Sequence, residues 1–157
     1  MECISVFDML KIGIGPSSSH TLGPWRAAER WIEELKDANK FDAVEEIIID
    51  LYGSLSLTGK GHATDYAVML GLFGADPETI PTDKITNIIT EIKNTNTLLF
   101  NNERVIAFNP STHIIFNKKF LPFHANGIKF TATCSGKKTG STFYSIGGGF
   151  VVKEARK

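Results

Sequence analysis

The sequence has 157 residues, a length at which a chain buries about two-thirds of its unfolded surface, and residues 1–157 read as a single domain. Lysine plus arginine and aspartate plus glutamate stand at 17 each, which leaves none of the basic excess that a nucleic-acid surface or an anionic-membrane surface requires. Two cysteines, Cys3 and Cys134, are too few to hold a structural zinc or a four-iron cluster alone, and the expectation is a cytoplasmic protein with reduced thiols, no secretory leader and no membrane span.

Along the chain, Ile4 to Phe7 alternates weakly and suits a short strand or a docking segment. Next comes Ile12-Gly-Ile-Gly-Pro-Ser-Ser-Ser-His-Thr21, two glycines and a proline followed by four hydroxyls and an imidazole. Trp25, Ala28, Ile32 and Leu35 then recur at helical spacing with Arg26, Arg30, Glu33 and Lys36 on the other face, which predicts an amphipathic helix ended by Asp37 to Lys40. Val44 to Tyr52 is β-branched and apolar in its middle, the pattern of an inner strand closed by Gly53. Thr64 to Leu72 returns to a helical pattern, with Ala67, Val68 and Leu70 facing in and Gly71 and Gly74 weakening and stopping it. A third helix, capped by Thr82 or Asp83, carries Ile85, Ile88, Ile89 and Ile92. Beyond Leu98 the sequence predicts strands over 105–108, 113–116, 128–133 and 141–150, with turns at Asn101-Asn102 and at 135–138. Early helices and late antiparallel strands predict an α+β fold, a sheet packed against helices.

Three stretches hold the chemically useful side chains. Glycines let backbone approach a ligand, and a hydroxyl cluster opening a helix sets side-chain donors beside unpaired N–H groups, an arrangement suited to a carboxylate or phosphate. Ser17, Ser18 and Ser19 fit equally as plain helix caps. His62, in Gly59-Lys-Gly-His-Ala-Thr-Asp65, stands between a strand and a helix, where an imidazole of near-neutral pKa is placed for acid–base work; it fits as well a loop histidine on a Gly-rich connection. Lys60 beside it can meet a carboxylate or water. His124 and Asn126 share a face if their segment is extended and so can grip one polar ligand, although Asn126-Gly127 alone is a turn signal. The glycines of Tyr144-Ser-Ile-Gly-Gly-Gly-Phe150 mark either a close approach or a joint, and His113 reads as structural. No nucleotide fingerprint or zinc spacing is present, and a triad of Ser19, His62 and Asp65 is not demanded by spacing.

Taken together, Ser5-Val-Phe-Asp8, Gly13-Ile-Gly-Pro-Ser-Ser-Ser-His-Thr21 with Gly23-Pro24, Tyr52-Gly-Ser-Leu55, Gly59-Lys-Gly-His-Ala-Thr-Asp65, Asn126-Gly127 and Tyr144-Ser-Ile-Gly-Gly-Gly149 resemble, in order, the β domain of bacterial iron–sulfur L-serine dehydratases. The resemblance implies an enzyme that deaminates L-serine to pyruvate and ammonia, with a [4Fe-4S] cluster ligated by cysteines of a separate α domain or chain. It implies His62 as the base and Ser17, Ser18, Ser19, His20, Thr21 and Lys60 in a loop facing substrate or the α domain. His124 and Asn126 fall at positions of a second, regulatory serine site. The same resemblance implies a homodimer and a fold similar to the allosteric substrate-binding domain of phosphoglycerate dehydrogenases. Ala63 stands where a glycine is familiar. The rival expectation is a non-catalytic, serine-binding regulatory and dimerisation domain.

Overall fold

The protein was analysed as a computed structural model, which describes residues 19–57 and 63–155. The segment Ile4 to Phe7, Ser17, Ser18, Lys60 and His62 lie outside the described residues.

The elements are α1 (Leu22–Asp37), β1 (Val44–Tyr52), the short α2 (Ser54–Leu57), α3 (Ala63–Phe73), α4 (Thr82–Thr95), β2 (Thr97–Phe100), β3 (Arg104–Ala107), the single turn α5 (Pro110–His113), β4 (Ile114–Asn117), β5 (Gly127–Cys134), β6 (Lys137–Gly147) and β7 (Phe150–Lys153). Five strands form one mixed sheet in the order β4-β1-β5-β6-β7, with β1 and β4 parallel and the other neighbours antiparallel; β2 and β3 form a separate hairpin. The class is α+β, with helices against one sheet. Among the described residues no helix is long and apolar enough to cross a membrane.

Strand alternation explains the layering. In β1, Val44, Ile47, Ile49 and Leu51 are buried, and in β5 Ile128, Phe130 and Ala132 are buried, so both strands present an apolar face to the same core. Onto it α1 lays Trp25, Ala28, Trp31, Ile32 and Leu35, and the Trp31 ring stacks on Phe130 at 4.9 Å between centroids. Helix α3 packs against α1 at Gly71, where a Cβ would fall 2.7 Å from the Trp25 carbonyl oxygen and 2.8 Å from Ala28 Cβ. The glycine that weakens α3 as an isolated helix is therefore what lets the two helices touch. Trp25 Nε1 completes this corner by donating to the Ala75 carbonyl (2.9 Å).

Several local expectations change. The cap position of α4 is Pro81, with no side-chain cap, rather than Thr82 or Asp83. His113 ends a turn instead of opening a strand: its Nδ1 accepts from the Asn109 N–H, four residues back (2.9 Å). The run 141–150 is not one strand, because Gly147, Gly148 and Gly149 have φ of 103°, 64° and 81° and reverse the chain into β7. Phe100 and Leu98 alternate inward in β2, a strand too short for period-two alternation to declare itself in sequence.

The last strand is tied to α1. Lys153 pairs with Glu34 (2.9 Å), Arg30 donates to the Val151 carbonyl (2.6 Å), and Tyr144 Oη donates to Glu154 (2.8 Å). Burial, then the hydrogen bond and charge of Glu154, push the Tyr144 phenol up to about 12 from 10.0. A folded-state pKa above the unfolded one means stability present in full below pH 10 and lost as pH rises through about 12. A phenolate absorbance titration of the folded chain should show a late component at that pH, absent in Tyr144→Phe; an unchanged titration in the variant contradicts the assignment.

Candidate functional site

The described parts of the stretches singled out in sequence meet at one end of the main sheet. Chain leaving the Ser/His segment passes through Ser19, His20 and Thr21 into α1. Ser19 Oγ lies 3.0 Å from His20 Nδ1, and the His20 carbonyl accepts a 2.7 Å hydrogen bond from Thr64 Oγ1. Thr64 is fully buried in the first turn of α3, two residues after His62. The exits of the two motif loops are thus joined by one hydrogen bond across 44 positions of sequence. Thr64→Val, which keeps the shape and removes the donor, should lower stability by about 1 kcal/mol because the part-buried His20 carbonyl loses its hydroxyl partner. Thr64→Ser should recover most of the loss in thermal or denaturant melts; equal stability of the valine variant and wild type refutes this role.

Thr21 occupies the cap position of α1 but makes no side-chain cap, and its Oγ1 is buried without a hydrogen-bond partner. The first turn of α1 carries no acidic residue. Gly23, in that turn, abuts β6: a Cβ on it would stand 1.8 Å from Ser145 Oγ, the second buried hydroxyl with no partner. Ser145 is in turn clamped by Asn126, whose carbonyl accepts from Ser145 N–H (3.0 Å) and whose Nδ2 donates to the Ser145 carbonyl (3.1 Å). The Asn126 N–H donates to His124 Nδ1 (3.0 Å), which leaves Nε2 as the protonated nitrogen of the neutral ring. His124 and Asn126 therefore form one hydrogen-bonded unit, and Asn126 leads directly into β5 at Gly127 rather than into a tight turn.

Gly53 joins this end of the fold to the segment approaching His62. With φ of 56° it lets the chain turn out of β1, its N–H donates to the Lys119 carbonyl (2.9 Å), and Ser54 N–H donates to the Ala125 carbonyl (2.9 Å) between His124 and Asn126. A Cβ on Gly53 would lie 2.3 Å from that same Ala125 oxygen. Gly149 likewise brings the reversal after β6 against Leu22, with a Cβ position 2.7 Å from Leu22 Cδ2. At Gly23, Gly53 and Gly149 the described parts of these stretches approach their neighbours more closely than a Cβ would allow.

Sequence reasoning missed Ser145 and Thr64 as connectors. Ser145 is the more instructive omission, since one serine within a strand carries no pattern until its neighbours across the fold are known. Asp65 lines a cavity with residues of α4 and α5, while Ser19 Oγ is engaged with His20.

Among the described residues no group of three or more His, Cys, Asp or Glu side chains is placed to hold a metal ion. Cys134, a free thiol at the end of β5, has its pKa raised by burial and faces the Lys40 carbonyl. This donor set does not fit an iron–sulfur cluster, which takes several thiolates.

Comparison with known proteins places this assembly. The family described as the serine dehydratase beta chain matches residues 5–156, and so spans every motif above. The chain belongs to that family. The L-serine dehydratase of Haemophilus influenzae is 45% identical over 155 residues, 97% of this chain and 34% of the relative. Those of Streptomyces coelicolor (42% over 154 residues, 96% of this chain, 34% of the relative) and Helicobacter pylori (38% over 156 residues, 98% and 34%) are similar throughout as well. The chain spans about a third of the length of the curated relatives it matches.

Proposed function

We propose that the chain is the β part of an L-serine dehydratase, acting with an α domain or chain that holds a [4Fe-4S] cluster, and that His62 completes a shared active site. The reading rests on the match over residues 5–156 to relatives named L-serine dehydratase. The reaction breaks the Cα–H and Cβ–OH bonds of L-serine, and the resulting enamine tautomerises and hydrolyses to pyruvate and ammonia. When bound, the cluster supplies Lewis acidity, easing departure of a poor leaving group.

This chain's residues would contribute a base and its placement. The neutral imidazole of His62 accepts the α-proton. Ser17, Ser18, Ser19, His20 and Lys60 would face substrate or the α domain, and the bond from Thr64 to the His20 carbonyl ties the end of the Ser/His segment to the first turn of α3. The whole enzyme works in the cytoplasm as a homodimer, with a β-domain fold like the allosteric substrate-binding domain of phosphoglycerate dehydrogenases. Pyruvate and ammonia released from L-serine by the assembled enzyme, lost on iron removal and insensitive to carbonyl reagents that trap pyridoxal phosphate, would bear this out. Activity that survives iron removal contradicts it.

A regulatory reading is favoured at one place by a specific observation. His124 and Asn126 are linked to each other, and through Ser145 to the first turn of α1, so a ligand at His124 would be felt at the Ser/His segment. On this reading L-serine binds there as effector, and His124→Ala removes serine activation while leaving turnover at saturating serine. Loss of saturated turnover would argue against a purely regulatory place for His124.

A further inference from the structure

At one end of the main sheet the chain leaves β1 at Gly53, crosses from β4 to β5 through residues 118–126, and turns from β6 to β7 at Gly147 to Gly149. Five of the eight large apolar side chains exposed among the described residues lie on or beside these connections. They are Leu57, Phe120, Phe123, Ile146 and Phe150, between 48% and 71% exposed. The other three are Leu99 and Val105 on the separate hairpin and Ile115 within the edge strand β4. Single exposed apolar residues are ordinary on a protein surface, but a group with three phenylalanines at one end of a sheet marks a place of contact.

The members of the group are neighbours. The Phe123 ring packs on Tyr144, 4.8 Å between centroids, Ile146 follows two residues further along β6, and Phe150 pairs with Gly147. Phe120 lies against Gly53, where a Cβ would stand 2.7 Å from Phe120 Cδ1. Leu57 ends α2, which begins where Ser54 N–H donates to the Ala125 carbonyl of the same 118–126 connection. The ground beneath is packed: Tyr144 and Ser145 are buried, and Asn126 clamps the Ser145 backbone. An apolar face already held in place loses little freedom when a partner docks, and aromatic side chains are the usual anchors of such contacts.

We propose that this face is where the cluster-bearing α domain or chain docks, with Phe123 and Phe150 as the anchors. The proposal rests on the dehydratase reading and adds to it the surface that joins the two parts. Two observations select this occupant. The chain covers 34% of its Haemophilus influenzae relative, so about two-thirds of that relative's length lies outside it and has to meet it somewhere. The face is also continuous with the candidate site: Phe123 adjoins His124, Ile146 adjoins Ser145, and the turn ahead of Phe150 packs on Leu22 of α1 at Gly149. A second copy of this chain seated there would cover the loops that a shared active site needs open to the α part.

Anaerobic calorimetric titration of the 157-residue chain against the cluster-bearing portion measures the contact. Phe123→Asp and Phe150→Asp, each confirmed to melt like wild type, should weaken association roughly thirtyfold or more, the effect of losing an interface anchor. Should either variant fail to fold, Ile146→Asp takes its place. Val105→Asp, which puts the same charge on the separate hairpin, should bind like wild type. Unchanged affinity in either phenylalanine variant, or an equal loss with Val105→Asp, would overturn the proposal. So would sedimentation showing that the phenylalanine variants split a dimer of this chain while their affinity for the cluster-bearing portion stays the same, since the face would then join two copies. An active wild-type pair with unaffected variants leaves the dehydratase reading standing without this face, whereas a wild-type pair that neither associates nor forms pyruvate from L-serine removes both.

Discussion

His62→Ala, in the enzyme assembled with its catalytic partner, should lower turnover of L-serine by about 10²–10⁴-fold, the usual contribution of a positioned general base. Its iron content should not change. The expectation comes from place as well as residue type. His62 immediately precedes α3, whose first turn is pinned to the Ser/His segment through Thr64 and the His20 carbonyl, while the other approach to the same loop is fixed where Gly53 and Ser54 meet the loop around His124. The loss should appear in kcat more than in KM, since removing a group that acts on the α-proton leaves most ground-state contacts intact. A fall confined to KM would mean that His62 binds substrate without taking its proton.

The second large effect should follow Gly53→Ala. Its φ of 56° is a left-handed conformation that costs an L-residue about 1–2 kcal/mol, and the new methyl would meet the Ala125 carbonyl oxygen at 2.3 Å. That oxygen accepts from Ser54 and belongs to the segment joining His124 and Asn126, so it cannot retreat without breaking other bonds. Overpacking adds about 1–3 kcal/mol, giving a total near 2–5 kcal/mol. Denaturant unfolding measures it. A loss below ~1 kcal/mol, the scale of an ordinary mutation, would mean that the loop relaxes freely and is not the rigid support described here.

How much of this was legible in the sequence depends on whether the signal was local. The helix with Trp25, Ala28, Ile32 and Leu35, the inner strand at 44–52 and the hairpin turn at Ser135-Gly136 are written in spacing and turn chemistry, and they stand in the structure where expected. The parallel pairing of β1 with β4 is not, because it depends on partners 65 residues apart, as at Ile49 and Ile114. Gly71 shows the same limit: within its helix it reads as a weakness, and only the approach of Trp25 and Ala28 reveals its use. At the candidate site, residue types singled out the loops, and the family match spans them. The hydrogen bonds of Thr64 and Ser145 that connect the loops were invisible for the same reason as the sheet order.

The most direct test of the account is anaerobic pyruvate formation from L-serine by this chain, by the cluster-bearing portion, and by the two combined. Activity in the combination alone is the predicted result, and it would locate the active site between the two. Full activity of the cluster-bearing portion without this chain would contradict a shared site and make the chain a regulator.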